Sequence, residues 1–91
     1  MRAIKTTYLG YTNTRPSRIK ASTGTGQSLT VSTSNLDGNT EEMHATVASR
    51  LATMLGWMRP GRYLIGGGYK NDYYFVFSDS DILSFNEEEP T

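Results

Sequence analysis

A single helical pattern, in residues 39–57, limits the possible folds of this chain more than any other feature. Asn39, with Glu42 three residues later, has the form of a capping box at the start of a helix. Apolar side chains then recur at steps of three and four residues, which predicts a buried stripe of Met43, Val47, Ala48, Leu51, Met54 and Leu55. Gly56 follows where a helix end favours a left-handed residue, and Trp57 is placed to fold back on the last turn. We therefore predict one amphipathic helix that ends at Gly56.

Segments with alternating apolar and polar residues lie on both sides of this helix. They predict strands at 2–9, 17–22, 28–33, 62–66 and 73–78. The first strand is short and suits the edge of a sheet, and the second and third form a hairpin. The predicted fold is therefore α+β: a small antiparallel sheet of four to five strands with one helix packed across it, in the order (β)ββαββ.

The C-terminal part carries a further pattern. Ile82, Leu83 and Phe85 fit one more short strand, and residues 86–91 fit an acidic, flexible tail. We expect residues 1–85 to form a single domain, because a chain of 91 residues has no room for two cores. A hydrophobic fraction of 36% leaves this core little margin, so we also expect a homo-oligomer.

Composition disfavours several classes of function. Nine basic and nine acidic residues cancel, which argues against a non-specific DNA coat and against an acidic mimic of nucleic acid. The chain has no cysteine, and so no disulfide and no thiolate metal site. No apolar run approaches the roughly 20 residues of a membrane span. The N-terminus also lacks the apolar core of a signal peptide. We expect a cytoplasmic protein with no membrane partner.

The lone histidine, His44, does not predict catalysis. It falls in the first turn of the predicted helix, and a metal ion would need three or four converging ligands, with no second histidine or cysteine to supply them. No serine has the spacing of a nucleophile elbow. We therefore expect His44 on the surface at the border of the helix, and we expect no enzymatic activity, no metal and no cofactor.

The densest group of candidate binding residues lies in the Gly/Pro turn before the second predicted strand. Arg15 and Arg18 belong to this segment, and arginine binds phosphate and carboxylate through two parallel hydrogen bonds. Ile19 and Ala21 alternate with Arg18 and Lys20, which places both cations on the face away from the core. We predict an anion-binding edge at this turn. The alternative is structural, with Arg15 capping a turn and Arg18 lying over the sheet face.

Three consecutive glycines, at 66–68, form a second candidate segment together with Lys70. Bare backbone amides can approach an anion, as they do in phosphate-binding loops. The segment lacks the Gly-Lys-Ser/Thr ending of a P-loop, however, and is not followed by a helix. We favour a bulged or bent strand where a neighbour packs against bare backbone. Both interpretations hold if that neighbour is a ligand or a second subunit.

Aromatic side chains are concentrated just after the glycines. Phe75 and Phe77 alternate as the inner face of a strand and are expected in the core. Tyr74 or Tyr69, on the opposite face, is the better candidate for stacking on a base. An RNA-binding sheet would interleave its aromatics with basic residues, and Lys70 is the only base near this strand. Binding of RNA or single-stranded DNA is therefore the least favoured hypothesis.

The motif Tyr-Leu-Gly-x-Thr-Asn-Thr-Arg-x-Ser-Arg-Ile-Lys-Ala at 8–21 resembles that of a family of small, mostly uncharacterised bacteriophage and mobile-element proteins. The segments Met-Leu-Gly-Trp at 54–57, Gly-Gly-Gly-x-Lys at 66–70 and Tyr-Phe-Val-Phe at 74–77 are similar to the same family. Its members usually carry glycine where this chain has Pro16, and proline provides no N–H for a ligand at that point.

The resemblance implies a phage anti-defence protein, since phage accessory proteins of this size often antagonise host immunity. The favoured hypothesis is a non-catalytic protein that sequesters a nucleotide-derived immune signal, an anionic small molecule, in the host cytoplasm. The residues predicted to bind it are Asn13, Thr14, Arg15, Arg18, Lys20, Lys70 and Tyr74. A pocket for such a ligand is most easily built between subunits. The alternative is a protein–protein inhibitor of a host defence complex, of the anti-CRISPR type, that uses the arginine turn and the aromatic face.

Overall fold

A computed structural model describes residues 3–79 and shows a five-stranded antiparallel sheet with one helix across one face. The elements are β1 (Ala3–Leu9), β2 (Arg18–Thr23), β3 (Ser28–Ser32), a single 3-10 turn (Thr33–Asn35), α1 (Thr40–Met54), β4 (Leu64–Tyr69) and β5 (Asp72–Phe77). The strand order is β3-β2-β1-β5-β4. The predicted α+β class and the order of the elements are confirmed. The further strand predicted at 82–85 and the tail at 86–91 lie outside the described residues.

Strand β1 lies in the middle of the sheet, so its predicted edge position is wrong. It pairs with β2 on one side and with β5 on the other, both antiparallel. The alternation within β1 could not reveal this, because β5, its second neighbour in the sheet, follows only after α1 and β4 in the sequence. The central position also explains the burial of the inward side chains Ile4 and Thr6, which have almost no solvent exposure.

The β4–β5 hairpin differs from its prediction at the glycines. The two strands pair residue by residue without a bulge. They are joined by a two-residue turn, Lys70-Asn71, in which Lys70 has a φ of 59°. Tight hairpin turns of this length need left-handed residues. The glycines at 66–68 are therefore part of regular strand, and β4 reaches Tyr69 rather than ending at residue 66.

The close approach predicted at the glycines is nevertheless present. Gly66 lies directly opposite Phe75, and Gly68 lies directly opposite Tyr73. A Cβ atom added to Gly68 would lie 2.9 Å from Cε2 of Tyr73, and one added to Gly66 would overlap the Phe75 ring. The neighbours that pack on the bare backbone are thus aromatic side chains of the adjacent strand.

Both ends of α1 match their sequence signals. The Asn39 side chain accepts a hydrogen bond from the Glu42 N–H at 2.9 Å, and the Glu42 carboxylate accepts one from the Asn39 N–H at 3.1 Å. At the other end Gly56 has a φ of 73°, and the Trp57 N–H donates to the Ala52 carbonyl at 2.9 Å. This is the hydrogen bond of a Schellman helix end. The predicted helix boundaries are confirmed.

The buried face of α1 corrects the predicted stripe at Met54, His44 and Ala52. Its buried residues are His44, Val47, Ala48, Leu51 and Ala52. Met54 is 65% exposed, because it lies on the flank of this face beside the edge strand β3, where the sheet ends. His44 is 1% exposed, so its predicted surface position is wrong. It precedes Val47, Ala48 and Leu51 by three, four and seven residues, which places it at the centre of the buried face.

Candidate functional site

One end of the sheet carries a polar cleft with a volume of about 440 Å³. At this end β1 and β3 finish, β2 and β5 begin, and α1 starts above them. The cleft is lined by residues from all of these parts, among them Tyr8, Ser17, Thr33, His44, Lys70 and Tyr73. The site is therefore assembled from segments that are far apart in the sequence.

Ser17 and Thr33 form the wall of the polar cleft on the β2–β3 side. Their hydroxyl oxygens lie 2.7 Å apart, and the Thr33 N–H donates to the Ser17 carbonyl at 3.1 Å. These hydrogen bonds tie the residue before β2 to the 3-10 turn after β3. The wall therefore presents hydroxyl groups in fixed positions, and Ser17 is directly followed by Arg18.

His44, in the first turns of α1, lies at the floor of the cleft and is almost completely buried. Its Nδ1 lies 2.6 Å from the Oγ1 of Thr6, which is itself fully buried in β1. Its ring packs on Tyr73 with the ring centres 4.3 Å apart. Burial lowers the pKa of His44, and the carboxylate of Asp72 opposes this effect more weakly. The imidazole is therefore neutral at pH 7.

The β4–β5 turn forms the opposite rim of the cleft. Lys70 is exposed, and its ammonium lies 5.4 Å from the centre of the Tyr69 ring. The carbonyl of Asn71 accepts a hydrogen bond of 3.5 Å from the Tyr8 N–H, which joins the turn to the end of β1. Lys70 thus brings a positive charge to the rim of a cleft whose floor is neutral.

The predicted binding residues of the turn lie next to this cleft, not in it. Asn13, Thr14 and Arg15 are exposed and line a separate, shallow depression of about 260 Å³. The Arg15 backbone closes the turn, because its N–H donates to Thr12 Oγ1 at 3.1 Å and its carbonyl accepts from the Thr12 N–H at 2.9 Å. The Arg15 side chain remains outside these contacts.

The two cations of β2 lie on the face of the sheet that α1 leaves open, as predicted. Ile19 and Ala21 are fully buried beneath the helix, while Arg18 is half-buried and Lys20 is exposed on the other side. The Arg18 guanidinium donates to the carbonyl of Pro16 at 3.4 Å. Arg18 therefore lies along the strand and points its charge back towards the turn.

Tyr74 is separated from the rest of the predicted set. It pairs with Lys5 in the middle of β1, whereas Arg18 pairs with Leu9 at the end of that strand. Four residues of strand correspond to about 13 Å. The Lys5 ammonium lies 6.0 Å from the Tyr74 ring centre and 3.6 Å from the Asp72 carboxylate. The seven predicted residues therefore occupy three places: the cleft rim, the adjoining turn with Arg18, and the open face with Lys20 and Tyr74.

Sequence reasoning missed most of the cleft. Only His44 carried a usable signal, since its spacing from Val47 and Leu51 places it on the buried side of the helix. Ser17 stood within the motif but had no distinguishing feature. Thr33 and Tyr73 could not be found, because their role depends on which strands become neighbours.

Comparisons of the chain with protein-family models, with curated proteins and with solved structures gave no match. Within residues 3–79, no group of three or more histidine, aspartate or glutamate side chains is placed to hold a metal ion. In the same part of the chain, no helix has the length and apolar character needed to cross a membrane. The fold and the cleft define a small α+β domain with a cleft large enough for a small ligand.

Proposed function

We propose that this chain is a non-catalytic, phage-type binding protein that antagonises host defence by sequestering a nucleotide-derived immune signal in the host cytoplasm. One observation carries the proposal: the polar cleft adjoins cations that no carboxylate of the described residues neutralises. Between Ala3 and Asp79 the ion pairs are Lys5–Asp72 and Arg62–Asp79, which include no cation of the turn or of the cleft rim. Unpaired cations beside a cleft attract an anionic ligand.

Ser17 connects the two parts of the proposed site. It lines the cleft, and its neighbours in the sequence are Pro16, which lines the shallow depression of the turn, and Arg18. In this proposal a ligand seated in the cleft extends its phosphates past Ser17 and around the start of β2, towards Arg15 and the Arg18 guanidinium that is turned back to Pro16. Guanidinium groups bind phosphate through paired, charge-assisted hydrogen bonds. Lys70 on the opposite rim adds a further positive charge.

The size and the walls of the cleft suit one nucleotide unit. A volume of about 440 Å³ falls within the range of roughly 300–1,000 Å³ that is usual for small-molecule sites. Tyr8, Met43 and Tyr73 supply aromatic and apolar surface, while Ser17 and Thr33 supply hydroxyl groups. Such a mixture of apolar walls and a few polar groups is typical of sites that hold a base and a sugar.

The biological setting in this proposal comes from the resemblance of the motif at 8–21 to phage and mobile-element proteins. The cleft is open to solvent along one side, so a second subunit would enclose the ligand more completely. We include a homo-oligomer in the proposal for this reason. A host with nucleotide-based immune signalling would supply the ligand.

The test is a ligand panel followed by thermal unfolding. The panel contains cyclic di-AMP, cyclic di-GMP, cyclic oligoadenylates and cyclic ADP-ribose isomers. A ligand at 100 times its dissociation constant should add about 2.7 kcal/mol to the free energy of unfolding, which raises the midpoint temperature. Arg18→Ala should reduce this rise. Arg50→Ala, which removes the same charge from an exposed position on α1, should leave it unchanged.

The outcomes separate the possibilities. A flat response across the panel contradicts the proposed function. A rise that Arg18→Ala and Arg50→Ala reduce equally would show that overall charge, rather than the turn, governs binding. Unfolding of Arg18→Ala without ligand would support the structural alternative for that side chain.

A second candidate function is inhibition of a host defence complex by direct contact. It is favoured by β4, which is an edge strand of the sheet that residues 3–79 form. This strand has no charge and no proline, and it exposes Ile65 and Tyr69 at 42% and 65%. Natural proteins usually protect such edges, and an unprotected edge can pair with a strand of another protein. In that case Ile65→Lys should restore the activity of a purified defence nuclease that the unaltered protein inhibits, while Arg18→Ala should not.

A further inference from the structure

Within residues 3–79, only one ring nitrogen of His44 has a hydrogen-bond partner. Nδ1 faces the Thr6 hydroxyl, and no other hydrogen bond of His44 is found among the described residues. In the same part of the chain, no buried side-chain nitrogen or oxygen lacks a hydrogen-bond partner. Nε2 is therefore not fully buried, and the 1% of His44 that remains exposed includes this atom. The cavity that His44 lines is the polar cleft, so Nε2 opens into it.

Thr6 determines which nitrogen carries the proton. Its side chain is completely buried, and its hydroxyl has Nδ1 of His44 as its hydrogen-bond partner in the described residues. A buried hydroxyl needs an acceptor for its proton. The Thr6 O–H therefore donates to Nδ1, which must be unprotonated. Because the ring is neutral, its single proton lies on Nε2. His44 thus offers an N–H donor at the floor of the cleft.

We propose that the polar cleft binds the nucleobase of the ligand, and that the Nε2–H of His44 donates a hydrogen bond to a carbonyl oxygen or ring nitrogen of that base. This inference rests on the function proposed above and specifies which part of the ligand enters the cleft. The base lies at the floor, against Tyr73, and the phosphates lie outside, towards Lys70 and Arg15.

The charge distribution of the site supports this orientation over the reverse one. A phosphate at the floor would meet a neutral imidazole, and the nearest charged group on β5 is the Asp72 carboxylate, which acts on the same ring. Lys70 at the rim and Arg15 on the adjoining turn belong to neither ion pair of the described residues, so positive charge is available outside the floor. A neutral, planar ring with acceptor atoms is the group that fits a buried donor between aromatic walls.

The chain contains one histidine, so its imidazole can be followed by nitrogen-15 NMR without assignment. We expect the free protein to show the Nε2–H form, with Nδ1 unprotonated. Cyclic di-GMP, cyclic di-AMP and cyclic ADP-ribose are then added in turn, each compared with ribose 5-phosphate, which has the sugar and the phosphate but no base. A base-containing ligand should shift the Nε2 resonance, and ribose 5-phosphate should not.

A paired substitution removes the donor without leaving a buried group unpaired. His44→Phe combined with Thr6→Val keeps an aromatic ring at position 44 and a side chain of similar volume at position 6. Both side chains become apolar. This double variant should fold and should bind the base-containing ligand about tenfold more weakly, while its affinity for ribose 5-phosphate should not change. Thr6→Val alone keeps the imidazole but removes the hydrogen-bond partner of Nδ1, so it separates the loss of the Thr6 hydroxyl from the loss of the Nε2 donor.

Each result has a distinct meaning. A flat ligand panel overturns the proposed function and this inference together. Binding that leaves the Nε2 resonance in place, with full affinity in the double variant, overturns this inference alone. An Nδ1–H form in the free protein overturns the assignment of His44 as a donor, even if a ligand binds.

Discussion

The ring of Phe75 lies across the bare backbone of Gly66, the residue directly opposite it in the β4–β5 hairpin. A side chain at position 66 would overlap this ring and would also lie 2.6 Å from the carbonyl oxygen of Tyr74. Tyr73 covers Gly68 in the same way on the same face. The glycines thus leave room for two large rings on this face of the hairpin. Tyr73 lines the polar cleft, and Phe75 belongs to the core.

Gly66→Ala should therefore destabilise the fold, because the added methyl group forces the Phe75 ring or the strand to move. Overpacking of this kind costs about 1–3 kcal/mol. Gly67→Ala is the matched control, since no atom lies within 4 Å of its added Cβ. It should change the stability by less than about 0.5 kcal/mol. Urea unfolding of both variants gives the comparison, and equal losses would contradict the packing argument.

The stability of the protein should depend on pH through His44. Burial holds its pKa below the ordinary value of 6.5, which the unfolded chain has. Between the lowered pKa of the folded protein and 6.5, the unfolded chain binds a proton that the folded protein does not. The contribution of neutral His44 is therefore complete above about pH 6.5 and is lost as the pH falls, by up to about 1.4 kcal/mol per pH unit.

The measurement is the free energy of unfolding between pH 7.5 and 5. The double variant His44→Phe with Thr6→Val lacks this titration and should show a flatter profile over the same range. Carboxylates contribute to both proteins alike, so the difference between the two curves isolates the histidine. Identical curves would show that His44 is accessible to protons in the folded state.

Lys70 occupies a left-handed backbone position, where glycine is the favoured residue. Lys70→Gly should therefore relieve strain and increase the stability by about 1 kcal/mol. It should also weaken the binding of the proposed anionic ligand, because it removes a positive charge from the cleft rim. A rise in thermal midpoint together with a smaller ligand response is the expected pair of results. Unchanged ligand binding would remove Lys70 from the proposed site.

The capping box at Asn39 holds the first turn of α1, which supplies Thr40, Met43 and His44 to the cleft. Asn39→Ala should lower the stability by about 1 kcal/mol, because the Glu42 N–H loses its acceptor. It should also increase hydrogen exchange in the first turn. Asn35→Ala, at an exposed position outside the helix, should affect neither quantity. A loss of ligand binding in the Asn39 variant alone would link the order of this turn to the site.

The hairpins and the helix show which features of the fold could be predicted from the sequence. Alternation indicated which residues of β2 face inward, and the cap of α1 was read correctly from Asn39 and Glu42. These features depend on interactions within a few residues. The predicted surface position of His44 is wrong although its spacing from Val47 and Leu51 matches the buried face of the helix. The reason is that a polar side chain in a helix is expected to face solvent. Thr6, its buried partner, lies 38 residues away.

By itself the sequence determined the local parts of this protein: the strands, the helix with its two ends, and a cationic turn before β2. The tertiary structure alone decided that β1 is central, that Phe75 covers Gly66, and that His44 meets Thr6 beneath a cleft. The physical reason is the range of the interactions involved. Caps, turns and alternation are set by neighbours in the chain, whereas strand order and register bring distant residues together only when the whole sheet has formed.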